Sequence, residues 1–148
     1  MNTRARAIQA VMLDDCPDDL FLTQYFLRKS PFPINFTGFS NDDALMSFMH
    51  AGKLSDVDIC LLSLRRPNFT AIEMLHNLQA YPEFNSLKIF MVYAPSECIE
   101  KNTYLASGAG GFLVRPTTLD DMSSFSRALQ KIASDSQNRY TETLMMTA

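Results

Sequence analysis

Four apolar runs in this chain each hand over to a residue with distinct chemistry. Asp14 and Asp15 follow "AIQAVML", Ser63 ends "ICLLS", Tyr93 follows "IFMV", and Arg115 follows "GGFLV". An adjacent acidic pair suits a divalent cation or the positive end of a helix dipole. A serine hydroxyl is a weak nucleophile unless a base activates it. Neither histidine falls at one of these run ends: His50 and His76 are isolated, each on a predicted helix. Arginine keeps its charge at every pH of interest and forks across carboxylates.

The runs alternate with stretches of helical periodicity, the pattern of a parallel sheet with crossover helices. Five strand–helix units follow. The first is "AIQAVML" and a helix opening at Pro17, where Asp18 and Asp19 suit the helix dipole and Leu20, Phe21, Phe26 and Leu27 supply an apolar side. The second is Ile34 to Phe39 and a helix capped within "SND" that closes on Gly52. The third is "DICLLSL", apolar enough to be central and covered on both faces, followed by "TAIEMLHNLQA". The fourth is "LKIFMV" with a helix over "SECIEKNTYLASG". The fifth is "GGFLV" with a helix opening at "TTLDDM", where Thr118 and Asp121 form a capping-box pattern, and running to Ser134. Ligands of such open sheets bind beyond the carboxyl ends of the strands, so the four run ends converge on one edge.

The chain of 148 residues reads as one domain over 7–134, with an N-terminal arm over 1–6 and a flexible tail over 135–148. A net charge of −3 offers no basic field for a phosphate backbone, which argues against nucleic acid. No apolar run approaches a membrane span or follows "MNTRARA" as a leader would require, so a cytoplasmic location is expected. Cys16, Cys60 and Cys98 lack metal-ligand or redox spacing and read as reduced thiols. "SGAGG" precedes a strand, not a helix, and reads as a turn instead of a phosphate cradle. Met46, Met49, Met74, Met91 and Met122 read as core filling. Arg65 and Arg66 read as solvated loop charges, the sharper alternative being contact with an anion at the mouth of the site.

With these residues placed, the chain resembles the receiver domains of two-component response regulators, especially the single-domain kind. The resemblance spans about residues 7 to 133. It is carried by "VMLDDCPDDL", "DICLLSLRRPNFTAIEML" and "GAGGFLVRP", with thirty residues from Ser63 to Tyr93 and twenty-two from Tyr93 to Arg115. It implies a doubly wound flavodoxin-like α/β sandwich with strand order 2-1-3-4-5. In that family the acidic pair binds Mg²⁺, an aspartate ending the third strand accepts a phosphoryl group, a Thr or Ser ends the fourth strand, and a Lys precedes a proline. Carried over by position, only Asp14 and Asp15 match. Ser63 stands at the acceptor, Tyr93 at the small hydroxyl, Arg115 at the lysine, and Ala71 where a glycine is usual.

An acyl phosphate needs a carboxylate and a cation to neutralise charge during transfer. Ser63 supplies no carboxylate, and two acidic residues hold Mg²⁺ weakly if at all. Arg115 is expected to pair with Asp14 or Asp15 and fill the pocket without metal. The sequence therefore reads as a pseudo-receiver, not an enzyme and without a cofactor, that binds another signalling protein. The resemblance places partner contact, and a homodimer, on the fourth helix, fifth strand and fifth helix, with Ile99, Tyr104, Leu105, Phe112 and Phe125. Two alternatives stay open: a receiver still switched by modification, anion or metal at the altered pocket, and a flavodoxin-like cofactor binder.

Overall fold

The computed structural model describes residues 7–53, 57–64, 68–84 and 86–134. Arg65, Arg66, the arm over 1–6 and the tail over 135–148 lie outside the described residues. Five strands, β1 (Ile8–Leu13), β2 (Ile34–Phe39), β3 (Ile59–Ser63), β4 (Lys88–Tyr93) and β5 (Gly111–Val114), form one sheet in the order β2-β1-β3-β4-β5. Every pairing is parallel. The helices are α1 (Pro17–Leu27), α2 (Asp42–Phe48), α3 (Asn68–Gln79), α4 (Lys101–Ala106) and α5 (Leu119–Ser134). This is the parallel sheet with crossover helices that the alternation predicts, in the doubly wound flavodoxin-like strand order that the resemblance implies.

The burial pattern follows from strand position. All five residues of the central strand β3 are buried, whereas edge strand β2 has none that is fully buried. Parallel strands covered on both faces must be apolar throughout, because neither face meets water. Leu61, Leu62, Met74, Leu75, Leu78, Phe90, Met91, Phe112 and Leu129 are essentially inaccessible and form the centre of the core. Each such side chain contributes about 1.5–3 kcal/mol relative to exposure. Met49, Met74, Met91 and Met122 are buried and Met46 packs against the core, in keeping with the core-filling reading.

Local sequence sets the ends of the helices. Pro17 opens α1, where its missing N–H costs nothing. Asn41 Oδ1 accepts the Ala44 N–H at 2.8 Å and caps α2. Gly108, at φ 110°, closes α4: its N–H bonds Leu105 O at 3.2 Å and the Ala109 N–H bonds Tyr104 O at 3.0 Å, a Schellman ending. A Cβ at Gly108 would also stand 2.6 Å from Gln79 Nε2. Lys88 Nζ donates to Ile132 O at 2.6 Å, so β4 satisfies a carbonyl in the last turn of α5.

Four local expectations are corrected. The fourth helix begins at Lys101, not Ser96, because Ala94 to Glu97 form a closed turn in which Ala94 N–H meets Glu97 Oε1 at 2.6 Å and Glu97 N–H meets Ala94 O at 2.9 Å. Gly52 does not terminate α2; a π-helical turn over Met49–Lys53 runs through it. Thr118 Oγ1 accepts the Asp121 N–H at 3.0 Å, but the Asp121 carboxylate turns to Thr117, on its N–H at 3.3 Å and its hydroxyl at 3.0 Å. The reciprocal half of the capping box is thus displaced by one residue. Phe21 is 66% exposed and does not join the apolar side of α1.

Cys60 is fully buried in β3, and burial pushes its thiol up to about 12. Because the thiolate is the reactive form, Cys60 stays neutral and unreactive at every pH below that value while the fold holds. Exposed Cys98 is accessible. Alkylation at pH 8 followed by peptide mass spectrometry should label Cys98 within minutes and Cys60 only after denaturation.

Candidate functional site

The ladder hydrogen bonds that end the sheet also fix the site. The Asp14 N–H reaches Phe39 O at 3.0 Å, one residue beyond β1, and the Arg115 N–H reaches Tyr93 O at 2.7 Å, one residue beyond β5. Ser63, the last residue of β3, stands in register with Val92. Parallel strands bring these ends to one edge of the sheet, so residues 101 positions apart in sequence meet there.

They meet through the Arg115 guanidinium. Nη1 donates to Asp14 Oδ2 at 3.0 Å and Nη2 donates to Ser63 Oγ at 2.6 Å. Nη1 also stands 3.6 Å from Asp19 Oδ2 on α1. Asp14 is wholly inaccessible, Ser63 1% exposed and Arg115 8% exposed, so this network lies in the protein interior. Asp14 Oδ1 accepts the Cys16 N–H at 2.9 Å, which turns the chain directly into Pro17 and α1. Both Asp14 oxygens are therefore engaged. Asp15, the other member of the acidic pair, is exposed.

A buried arginine carries an electrostatic cost that only close partners offset. Here two hydrogen bonds and a carboxylate compensate it, although Arg115 Nε is buried without a hydrogen-bond partner among the described residues. A divalent cation bridging Asp14 and Ser63 would have to displace the guanidinium that holds both oxygens. No group of three or more potential metal ligands occurs among the described residues. The donor set does not fit Mg²⁺: one carboxylate is already paired with a fixed cation, and the third strand offers a hydroxyl in place of a charge.

Next to the network lies an aromatic column. The Tyr93 ring, 7% exposed, meets Phe112 edge-on at 6.3 Å, and Phe112 meets Tyr104 edge-on at 6.1 Å. Lys101 Nζ sits over both the Tyr93 and Phe112 rings, 5.5 and 5.7 Å from their centroids. Edge-to-face pairs add about 0.5–1.5 kcal/mol each beyond their area. Burial, then the Glu97 carboxylate, pushes the Tyr104 phenol above its ordinary range.

Sequence reasoning placed Asp14, Asp15, Ser63, Tyr93 and Arg115 at this edge; Asp14 and Ser63 are joined by the Arg115 guanidinium, Tyr93 accepts the Arg115 N–H, and Asp15 is exposed. It missed Asp19, read as a dipole residue only, and Lys101, which lies on the side of α4 that reaches back over β4 and β5. The signal for Asp19 was its place three residues into a proline-opened helix that starts at the site. Of the residues on the partner face expected on α4, β5 and α5, Tyr104, Phe112 and Phe125 lie in the core. Ile99 is half-buried, and only Leu105, at 36%, is exposed. Aromatic residues on a short strand and two covering helices pack inward because that is where the apolar volume lies.

No protein-family model matches the chain, and no curated protein matches it. Solved structures do. The chemotaxis protein CheY4 of Vibrio cholerae superposes with a TM-score of 0.68 at 15% identity, covering 86% of this chain and 99% of that one. A response regulator receiver protein from Burkholderia phymatum gives 0.67 at 19%, over 85% and 94%. A receiver domain protein from Clostridium thermocellum gives 0.67 at 13%, over 85% and 94%. The chain has the fold of a response-regulator receiver. It spans 51% of the length of a further match, a two-component response regulator joined to a GGDEF domain. No helix among the described residues is long and apolar enough to cross a membrane.

Arg115→Ala should lower the unfolding free energy by about 3–5 kcal/mol, because it strands the Asp14 charge in the interior. Combining Arg115→Leu with Asp14→Asn removes that charge yet keeps an acceptor for the Cys16 N–H. This double variant should recover at least half of the loss. Urea denaturation followed by circular dichroism measures both.

Proposed function

We propose that this chain is a pseudo-receiver: a non-enzymatic signalling domain that binds another protein in a two-component-type pathway and takes no part in phosphoryl transfer. The observation that carries the reading is the Arg115 guanidinium tied to Asp14 and Ser63. It places a fixed positive charge where a receiver would need a metal ion, and a hydroxyl where it would need a carboxylate. The chain's two histidines lie in the turn over Met49–Lys53 and on α3, not at a strand end with Ser63, which leaves covalent chemistry at its oxygen without a histidine base to support it. Mg²⁺ binding is accordingly absent or weak, and neither nucleic acid nor a cofactor is needed.

Two further features support a fixed state. In typical receivers the small hydroxyl on the fourth strand moves inward while an aromatic residue of the fifth strand swings with it. Here the first position holds Tyr93, and Phe112 is wedged between Tyr93 and Tyr104. The alternative of a flavodoxin-like cofactor binder has less support. The turn after β1 that would have to cradle a phosphate is instead the short Asp14–Cys16 turn leading into Pro17. Partner binding through α4, β5 and α5 would use Leu105, the rim of Ile99 and the polar surface of α4.

Incubation with Mg²⁺ and acetyl phosphate, followed by intact-protein mass spectrometry, tests the reading. The wild-type chain should acquire no phosphoryl adduct while a conventional receiver treated alongside does. Ser63→Asp alone should also remain unmodified, because the Arg115 fork would grip the introduced carboxylate and Tyr93 would still fill the space beside it. Efficient phosphorylation of either protein at this position would overturn the reading.

A further inference from the structure

Helix α1 carries apolar residues around its whole circumference. Its inner side, with Thr23 and Leu27, is buried. Its outer side shows Phe21 at 66%, Leu22 at 49% and Tyr25 at 45% exposure, three of the most exposed large apolar residues described. Phe21 and Tyr25 stack on one another at 6.5 Å. Scattered apolar residues on a surface mean little, but a contiguous stripe on one helix face marks a contact surface.

The charges at the two ends of the stripe identify what fits it. At about 100° per residue, Asp18, Leu22 and Tyr25 fall within about 60° of one line along the helix, and Lys29 lies in the turn just beyond its end. Asp18 is exposed at the amino end and Lys29 at the carboxyl end, with Lys29 Nζ 4.9 Å from the centroid of the Tyr25 ring. Read backwards, this order is complementary to itself. An antiparallel second α1, related by a two-fold axis between residues 23 and 24, sets Asp18 against Lys29, Leu22 against Tyr25, and repeats both pairs by symmetry. An isologous contact requires this self-complementarity, whereas an unrelated partner would not.

We propose that the outer face of α1 is a homodimer interface, in which two copies of this chain pack antiparallel through Leu22 and Tyr25 and are oriented by reciprocal Asp18–Lys29 ion pairs. Phe21 flanks the seam. Leu119, 63% exposed, extends the apolar margin; it lies two residues beyond Thr117, which lines the same cleft as Leu22 between α1 and the start of α5. The exposed area of the three α1 side chains is on the order of 300 Å² per copy, well below a standard interface, so the dimer is weak and concentration-dependent. Leu22 borders a cleft that Asp19 and Arg115 also line, but the interface uses none of the guanidinium's hydrogen bonds and stands whether or not those bonds close the pocket.

Sedimentation equilibrium over a concentration series to about 1 mM tests this, with half-association expected on the order of 100 µM at low salt. Leu22→Arg should give a monomer throughout. Asp18→Lys alone and Lys29→Asp alone each place like charges together twice, and each should weaken self-association by about 10-fold or more. Mixed in equal amounts, these two variants should associate again, because the mixed dimer pairs opposite charges at both ends. Asp18 and Lys29 are exposed and outside the core, so circular dichroism should show both variants folded. A wild-type monomer at every concentration would overturn the proposal, whether another protein or the chain's own C-terminal residues cover the stripe. Single variants that dimerise as the wild type does, or a mixture that stays monomeric, would overturn it too.

Discussion

The carboxyl edge of the sheet is organised around one buried cation. Arg115 enters the interior from the end of β5 and reaches across β3 to β1, so its guanidinium joins three parts of the chain far apart in sequence. A buried charge survives only when its partners are fixed in place, and here the sheet does the fixing. Asp14 is held by a ladder bond to β2 and by its own turn into α1, and Ser63 by the register of β3 with β4. The cation then has no need of solvent or metal. Arginine differs from lysine in this role because its planar fork meets a carboxylate and a hydroxyl at once.

The aromatic column extends this constraint to α4. Tyr93 is tied to Arg115 through its backbone carbonyl and to Phe112 through its ring, while Tyr104 anchors the far side of Phe112. A movement at the end of β4 would have to carry Phe112, Tyr104 and the Lys101 ammonium with it. Core packing is dense enough that such a group moves as a unit or stays put. The proposed loss of switching thus rests on packing as much as on missing chemistry.

The strands and the architecture were legible because parallel strands buried on both faces are written as short apolar runs, and β2 and β3 could be bounded within a residue or two. The meeting of Asp14, Ser63 and Arg115 was legible for a topological reason: once the sheet is parallel, its carboxyl ends must share an edge. What failed was local and tertiary. The start of α4 was lost to a four-residue turn around Pro95 that competes with helix. Gly52 looked like a helix stop but sits in a wider π turn. Phe21 and Phe125 show why apolar identity alone does not assign a face. The first is exposed on a helix apolar all round, and the second is buried on a strongly amphipathic helix. Asp19 could be seen as acidic, but its approach to Arg115 depends on the angle at which α1 leaves the sheet.

The most direct measurement of the closed pocket is a Mg²⁺ titration of the isotopically labelled chain, following the Cys16 amide and the Arg115 guanidinium by NMR. If the guanidinium holds the site, neither resonance should show a saturable change up to about 20 mM Mg²⁺, since the metal would have to displace a cation bonded to both oxygens. A saturable, low-millimolar transition centred on these two groups would mean that the pocket opens to metal, and would contradict the central role given to Arg115.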